Sequence, residues 1–140
     1  MRAVAIAAAG SILAMGVPAL AQGASGPRCP TGDPTVDEAS FAFLARPAVG
    51  TGVRSGFTAS GCSRTFESTV AWRLRDRAGR TLARGSTHGG GVDGAGRFSF
   101  RVRFTVRSAQ IGRLEVEASD PSAGEGLPPV RNVVPLVLRP

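Results

Sequence analysis

The chain has no lysine and no tyrosine, and among its 140 residues there are one histidine, one tryptophan and two cysteines. Each shortage closes off a kind of chemistry. The single histidine, His88, and the distant cysteines, Cys29 and Cys62, offer no H-E-x-x-H, paired C-x-x-C or calcium-loop spacing, so neither a metal site nor a cofactor is expected. Neither cysteine stands in a C-x-x-C motif, which disfavours a redox enzyme. Without tyrosine, and with most phenylalanines on the apolar side of alternating stretches, the exposed aromatics that stack nucleic-acid bases are missing, so no specific nucleic-acid binding is expected. Beyond the N-terminal run there is no extended 3.6-residue periodicity, and 19 Gly and 10 Pro argue against a mainly helical domain.

What is present begins with arginine, which supplies the whole net charge of +7. Arginine forms forked bonds to phosphate and carboxylate, and one reading is a polyanion-binding surface. The abundance of Ala, Gly, Arg and Pro also fits a GC-rich bacterial genome, in which arginine replaces lysine on ordinary surfaces. The arginines are dispersed along strands rather than gathered in a tail, and we read most of them as solvated surface.

Met1-Arg2 is a short positive start, Ala3 to Leu20 is almost wholly apolar or small, and Ala19-Leu20-Ala21 has the small-x-small form of a cleavage site. Residues 1–21 therefore read as a signal peptide. Gly10, Ser11, Gly16 and Pro18, with no charge cluster following, argue against a membrane anchor, and no cysteine at the cleavage point invites a lipid. A secreted or extracytoplasmic protein follows, in the periplasm or at the cell surface. Residues 22–40, rich in Gly, Pro, Ser, Thr and Asp, form an extended lead-in, and 41–140 form one domain. Export makes a Cys29–Cys62 bridge the expected state, with free thiols or pairing between molecules as the alternatives.

Two stretches carry the strongest pattern. Between Glu67 and Arg75, Val70, Trp72 and Leu74 alternate with Thr69, Arg73 and Arg75; between Arg97 and Arg107, Phe98, Phe100, Val102, Phe104 and Val106 alternate with Arg97, Arg101, Arg103 and Arg107. A period of two is that of a half-buried β-strand. Further strands are read at Phe41–Ala45, Val53–Ser60, Arg80–Thr87, Arg113–Ser119 and Val130–Leu138, the last at an edge or a bulge because of Pro135. Asp76-Arg77-Ala78-Gly79 is a turn, His88 to Gly96 a flexible hairpin loop, and Ser108 to Gly112 a second turn. About seven strands with frequent turn signals predict an all-β, immunoglobulin-like antiparallel β-sandwich. Its core is expected around Trp72, Leu74, Phe98, Phe100, Val102 and Phe104, with Glu115 and Glu117 turned outward to face strand arginines.

The succession Gly61-x-x-Arg64-x-Phe66-Glu67-x-Thr69-Val70-x-Trp72-Arg73-Leu74-x-Asp76, then Gly79-x-x-Leu82-Ala83-x-Gly85-x-Thr87, Gly96-x-Phe98-x-Phe100 and Gly112-x-Leu114-x-Val116 resembles the immunoglobulin-like domain of bacterial spore germination. The resemblance runs from about Phe43 to Leu138. It implies an immunoglobulin-like sandwich in an exported protein, often beside sporulation or germination domains, and it brings no catalytic residue with it. The cysteine pair and the long glycine stretch are additions to the family pattern.

No catalytic grouping is expected. Ser86, His88 and Asp93 lie in or beside a glycine-rich connection, where a nucleophile, base and orienting acid would not be held in place. Gly89-x-Gly91-x-x-Gly94 matches the dinucleotide fingerprint as a string, but a strand follows it where a helix is needed. Asp33, Asp37 and Glu38 read as solvated lead-in, and Glu67 and Asp76 as surface and turn residues. The expectation is a non-enzymatic exported module that binds a protein or an envelope component. A second reading is electrostatic association with an anionic wall polymer or membrane through Arg73, Arg75, Arg97, Arg101 and Arg103, if their strands are neighbours. A third, a protease-inhibitor-like module, rests on fold analogy alone.

Overall fold

Residues that alternate apolar and polar can bury one face only by laying it against another sheet, and the chain does so twice. The computed structural model describes Cys29, residues 39–118 and residues 130–140. The signal segment and most of the lead-in lie outside the described residues. The strands are β1 (Phe41–Arg46), β2 (Gly52–Val53), β3 (Phe57–Arg64), β4 (Thr69–Arg75), β5 (Thr81–His88), β6 (Gly96–Val102), β7 (Gln110–Ala118) and β8 (Arg131–Leu138). One sheet has the order β1-β3-β6 and the other β2-β8-β7-β4-β5. Every strand pairing is antiparallel except β2 with β8, which is parallel. The fold is the expected immunoglobulin-like β-sandwich.

Three local expectations are corrected. The stretch 53–60, read as one strand, is two, in different sheets. Gly56, at φ +88°, donates its N–H to the Val102 carbonyl at 2.8 Å and turns the chain from one sheet to the other. The strand read at 97–107 stops at Val102, although Phe104 and Val106 stay buried and the alternation continues. Its partner β3 begins at Phe57, opposite Val102, so no strand remains to pair with 103–106; the Phe104 N–H donates instead to the Ser55 hydroxyl at 3.0 Å. His88 to Gly96 is not a hairpin loop, because β5 and β6 belong to different sheets. It crosses between them along a path tied down by backbone bonds: Gly89 N–H to Ser68 O at 2.9 Å and Thr65 N–H to Gly90 O at 3.0 Å. Gly90 is buried, and a Cβ there would lie 2.3 Å from the Ser63 carbonyl oxygen, so only glycine fits.

Pro135 is not at the expected edge or bulge, because β8 lies between β2 and β7 and pairs with β7 in unbroken register. Its carbonyl accepts the Gly50 N–H at 2.9 Å, so the backbone groups of this residue face away from β7, where a missing N–H breaks no full ladder.

Leu74, Val102, Leu114, Leu136 and Leu138 are fully buried between the sheets, with Val53, Phe104 and Val106 around them. Val70, Phe98, Val116 and Ala118 form the second cluster. Each such side chain contributes about 1.5–3 kcal/mol by leaving water. Trp72 is half-buried rather than the centre of the core. Its ring stacks on Phe100 with centroids 4.7 Å apart and planes at 10°, and it overlies Gly85, where a Cβ would come within 2.7 Å of the indole. Trp72 and Phe100 thus close the β5–β6 side of the sandwich, and the aliphatic residues fill its middle.

Candidate docking surfaces

The five arginines proposed as one anion site do not meet. Arg73 and Arg75 lie on the outer face of the five-stranded sheet; Arg97 and Arg101 lie on the outer face of the opposite sheet, with Arg103 just past its end. β4 and β6 are not neighbours, so the two sets sit on opposite sides of the molecule. Arg73 and Arg75 are also engaged. Arg73 Nε lies 3.4 Å from Glu115 Oε2 and its Nη2 donates to Glu117 Oε2 at 3.0 Å, while Arg75 Nε lies 3.2 Å from Glu115 Oε1. Arg131 adds a further bond to Glu117 at 3.1 Å. Glu115 has the outward parity expected of it, yet the arginine side chains over it leave it buried, 7% exposed. This cross-strand charge ladder fixes register more than it offers a binding site. Beside it, over β4 and β5, an open depression of about 570 Å³ is lined by Ala71, Trp72, Arg73, Thr81, Arg84, Gly85 and Ser86. That lining holds guanidinium and hydroxyl groups and no carboxylate or imidazole to serve as a base.

Asp76 forms the turn expected of it and is buried, 1% exposed. The Arg80 N–H donates to Oδ1 at 2.9 Å, and Arg80 Nε and Nη2 reach Oδ2 at 2.8 Å each. Burial works to raise the Asp76 carboxyl, but the backbone N–H and guanidinium of Arg80 outweigh it and hold the group below its ordinary value of 3.8. The turn closes with Gly79 donating to the Asp76 carbonyl at 3.0 Å, and Arg75 Nη1 donates to the Gly79 carbonyl at 3.0 Å.

Cys29 and Cys62 are joined by a disulfide, S–S 1.94 Å with Cα atoms 6.0 Å apart. It lies against Phe41 and Ala95, and the Cys29 N–H donates to the Ala95 carbonyl at 3.4 Å. Ser86 and His88 share the outer side of β5, Asp93 lies on the glycine-rich crossing, and β6 follows that crossing as a strand, leaving no helix for a phosphate. Among the described residues no group of three or more His, Cys, Asp or Glu is placed to hold a metal ion.

The surface that the sequence reading missed is on β8. Val134, Leu136 and Leu138 point into the core, while the alternate residues Val133, Pro135 and Val137 lie on the outer face, with Val133 41% exposed. Ile111 of β7, opposite Val137, is 56% exposed, so the apolar strip crosses two strands. The signal was available: Val133 to Leu138 is an unbroken apolar run, the pattern of a strand covered on both faces. Arg113 and Arg131 border the strip.

The sequence model of the immunoglobulin-like domain of bacterial spore germination matches residues 41–125, from the first residue of β1 past the end of β7. Among solved structures, CopC from Methylosinus trichosporium OB3b is similar at 14% identity, over 71% of this chain and 95% of that one, with a TM-score of 0.44. A search of curated proteins found no significant match.

Proposed function

The chain belongs to the immunoglobulin-like domain family of bacterial spore germination, and from that premise we propose an exported, non-enzymatic module that binds another protein of the cell envelope, with sporulation or germination as the setting. The signal-like residues 1–21 and the Cys29–Cys62 bridge support export, since disulfides persist in oxidising compartments. The observation that carries binding is the outer face of β8. Val133, Pro135 and Val137, continued by Ile111, form an apolar strip on a sheet face whose core side is already filled. Contiguous exposed apolar surface rimmed by charge is characteristic of protein contact sites. Arg113 at its border, which forms no ion pair among the described residues, fits a partner with an apolar centre and an acidic residue beside it.

The test is a crosslinking pull-down from envelope extract with the wild-type chain, with Val133→Asp, and with Thr58→Asp on the opposite sheet as a control. The reading expects one partner that the wild type and Thr58→Asp retain and Val133→Asp loses. Capture that ignores Val133→Asp, or substrate turnover by the purified chain, would overturn it.

A further inference from the structure

One end of the sandwich gathers exposed arginines. Register fixes the ends: Thr69 lies opposite His88 and Val70 opposite Ala118 at one, while Arg75 lies opposite Arg113 toward the other. At the first end the connections 65–68 and 89–95 hold Glu67 and Asp93, and Arg64, Arg97 and Arg131 stand on the strand ends beside them, so charges of both signs are mixed there. At the second, Arg54 lies between β2 and β3, Arg77 and Arg80 in the β4–β5 turn, Arg103 and Arg107 between β6 and β7, and Arg139 after β8. Facing these six is one acid, Asp76, buried and already bound to Arg80. Arg54 donates to the Pro140 oxygen. Arg77, Arg103, Arg107 and Arg139 are exposed, and none forms an ion pair among the described residues.

We propose that this basic end docks the domain against an anionic phospholipid bilayer. A molecule whose unpaired arginines gather at one end while charges of both signs mix at the other has an electrostatic orientation, and a negatively charged surface turns the basic end toward itself. Guanidinium forks match the oxygens of phosphate headgroups. Geometry selects a planar occupant over a single polymer chain. The arginines come from three separate connections and the segment after β8, distributed over both sheets, so they present a broad front across the end of the sandwich rather than a line along one groove. This docking goes beyond the protein-binding reading and does not rest on it, because the β8 strip lies on a sheet face and not on the end.

Sedimentation with vesicles tests it. The wild-type chain is expected to bind phosphatidylcholine vesicles that contain phosphatidylglycerol, to ignore pure phosphatidylcholine, and to release as salt rises. Arg77→Gln with Arg103→Gln should weaken binding about thirtyfold, roughly fivefold for each charge lost near the surface. Arg84→Gln with Arg97→Gln removes the same net charge away from that end and should retain near wild-type binding, with thermal melts checking that both variants fold. Equal loss in the two variants would refute end-on docking. Absence of wild-type binding to anionic vesicles, or its displacement by soluble polyphosphate at matched phosphate, would refute the bilayer as the occupant. Because Val133 is untouched here, the β8 pull-down is scored independently of this result.

Discussion

At Asp76, three donors from one residue, Arg80, converge on a carboxylate that folding has removed from water. The folded group stays ionised at a pH where the unfolded group begins to take up a proton. The sign follows: its contribution is complete above the ordinary value of 3.8 and is lost as pH falls through the lower folded value. Urea midpoints measured against pH should drop below 3.8, and Asp76→Asn should be less stable at pH 7 and show a shallower drop in the acid window. An unchanged acid slope in the variant would assign the effect to other carboxylates. The sequence marked Asp76 and Gly79 as turn residues because their backbone preferences are local. It could not show the burial, which depends on the tertiary packing around the turn.

The charge ladder on β4, β7 and β8 works at the scale of strands. Register places Arg73 beside Glu115 and Arg131 opposite Glu117, but the two pairs differ in their access to water. Side-chain exposures are 33% and 9% for Arg73 and Glu115, against 48% and 20% for Arg131 and Glu117. Double-mutant cycles read by urea unfolding should give a coupling of about 1 kcal/mol for the first pair and about 0.2 kcal/mol for the second, both shrinking with added salt. Equal couplings would mean that burial does not set them. Alternation in the sequence identified these strands and their inward sets, since parity is a property of the strand itself. The end of β6 at Val102 and the split of the 53–60 stretch were not legible. Alternation reports which face is covered and is silent on whether a neighbouring backbone is there to pair with.

For the whole molecule, the disulfide ties Cys29, ahead of the first strand, to β3 across 33 residues. Closing a loop of that length in the unfolded chain accounts for about 3–4 kcal/mol. Replacing both cysteines by serine should lower the unfolding free energy by about that amount, and reductant should then change the wild type alone; a loss under about 1 kcal/mol would mean that the unfolded chain holds Cys29 near β3 without the bond. The all-β class, the inward parity of the strand residues, the turn at Asp76 to Gly79 and the family are legible along the chain, because each rests on local pattern or on the order of residues. Only the tertiary structure decided which surfaces exist. It sent Arg73 and Arg97 to opposite sides, left the outer face of β8 apolar and open, and brought arginines from three connections and the segment after β8 to one end, because spatial neighbours are set by strand order in the sheets and not by spacing along the chain.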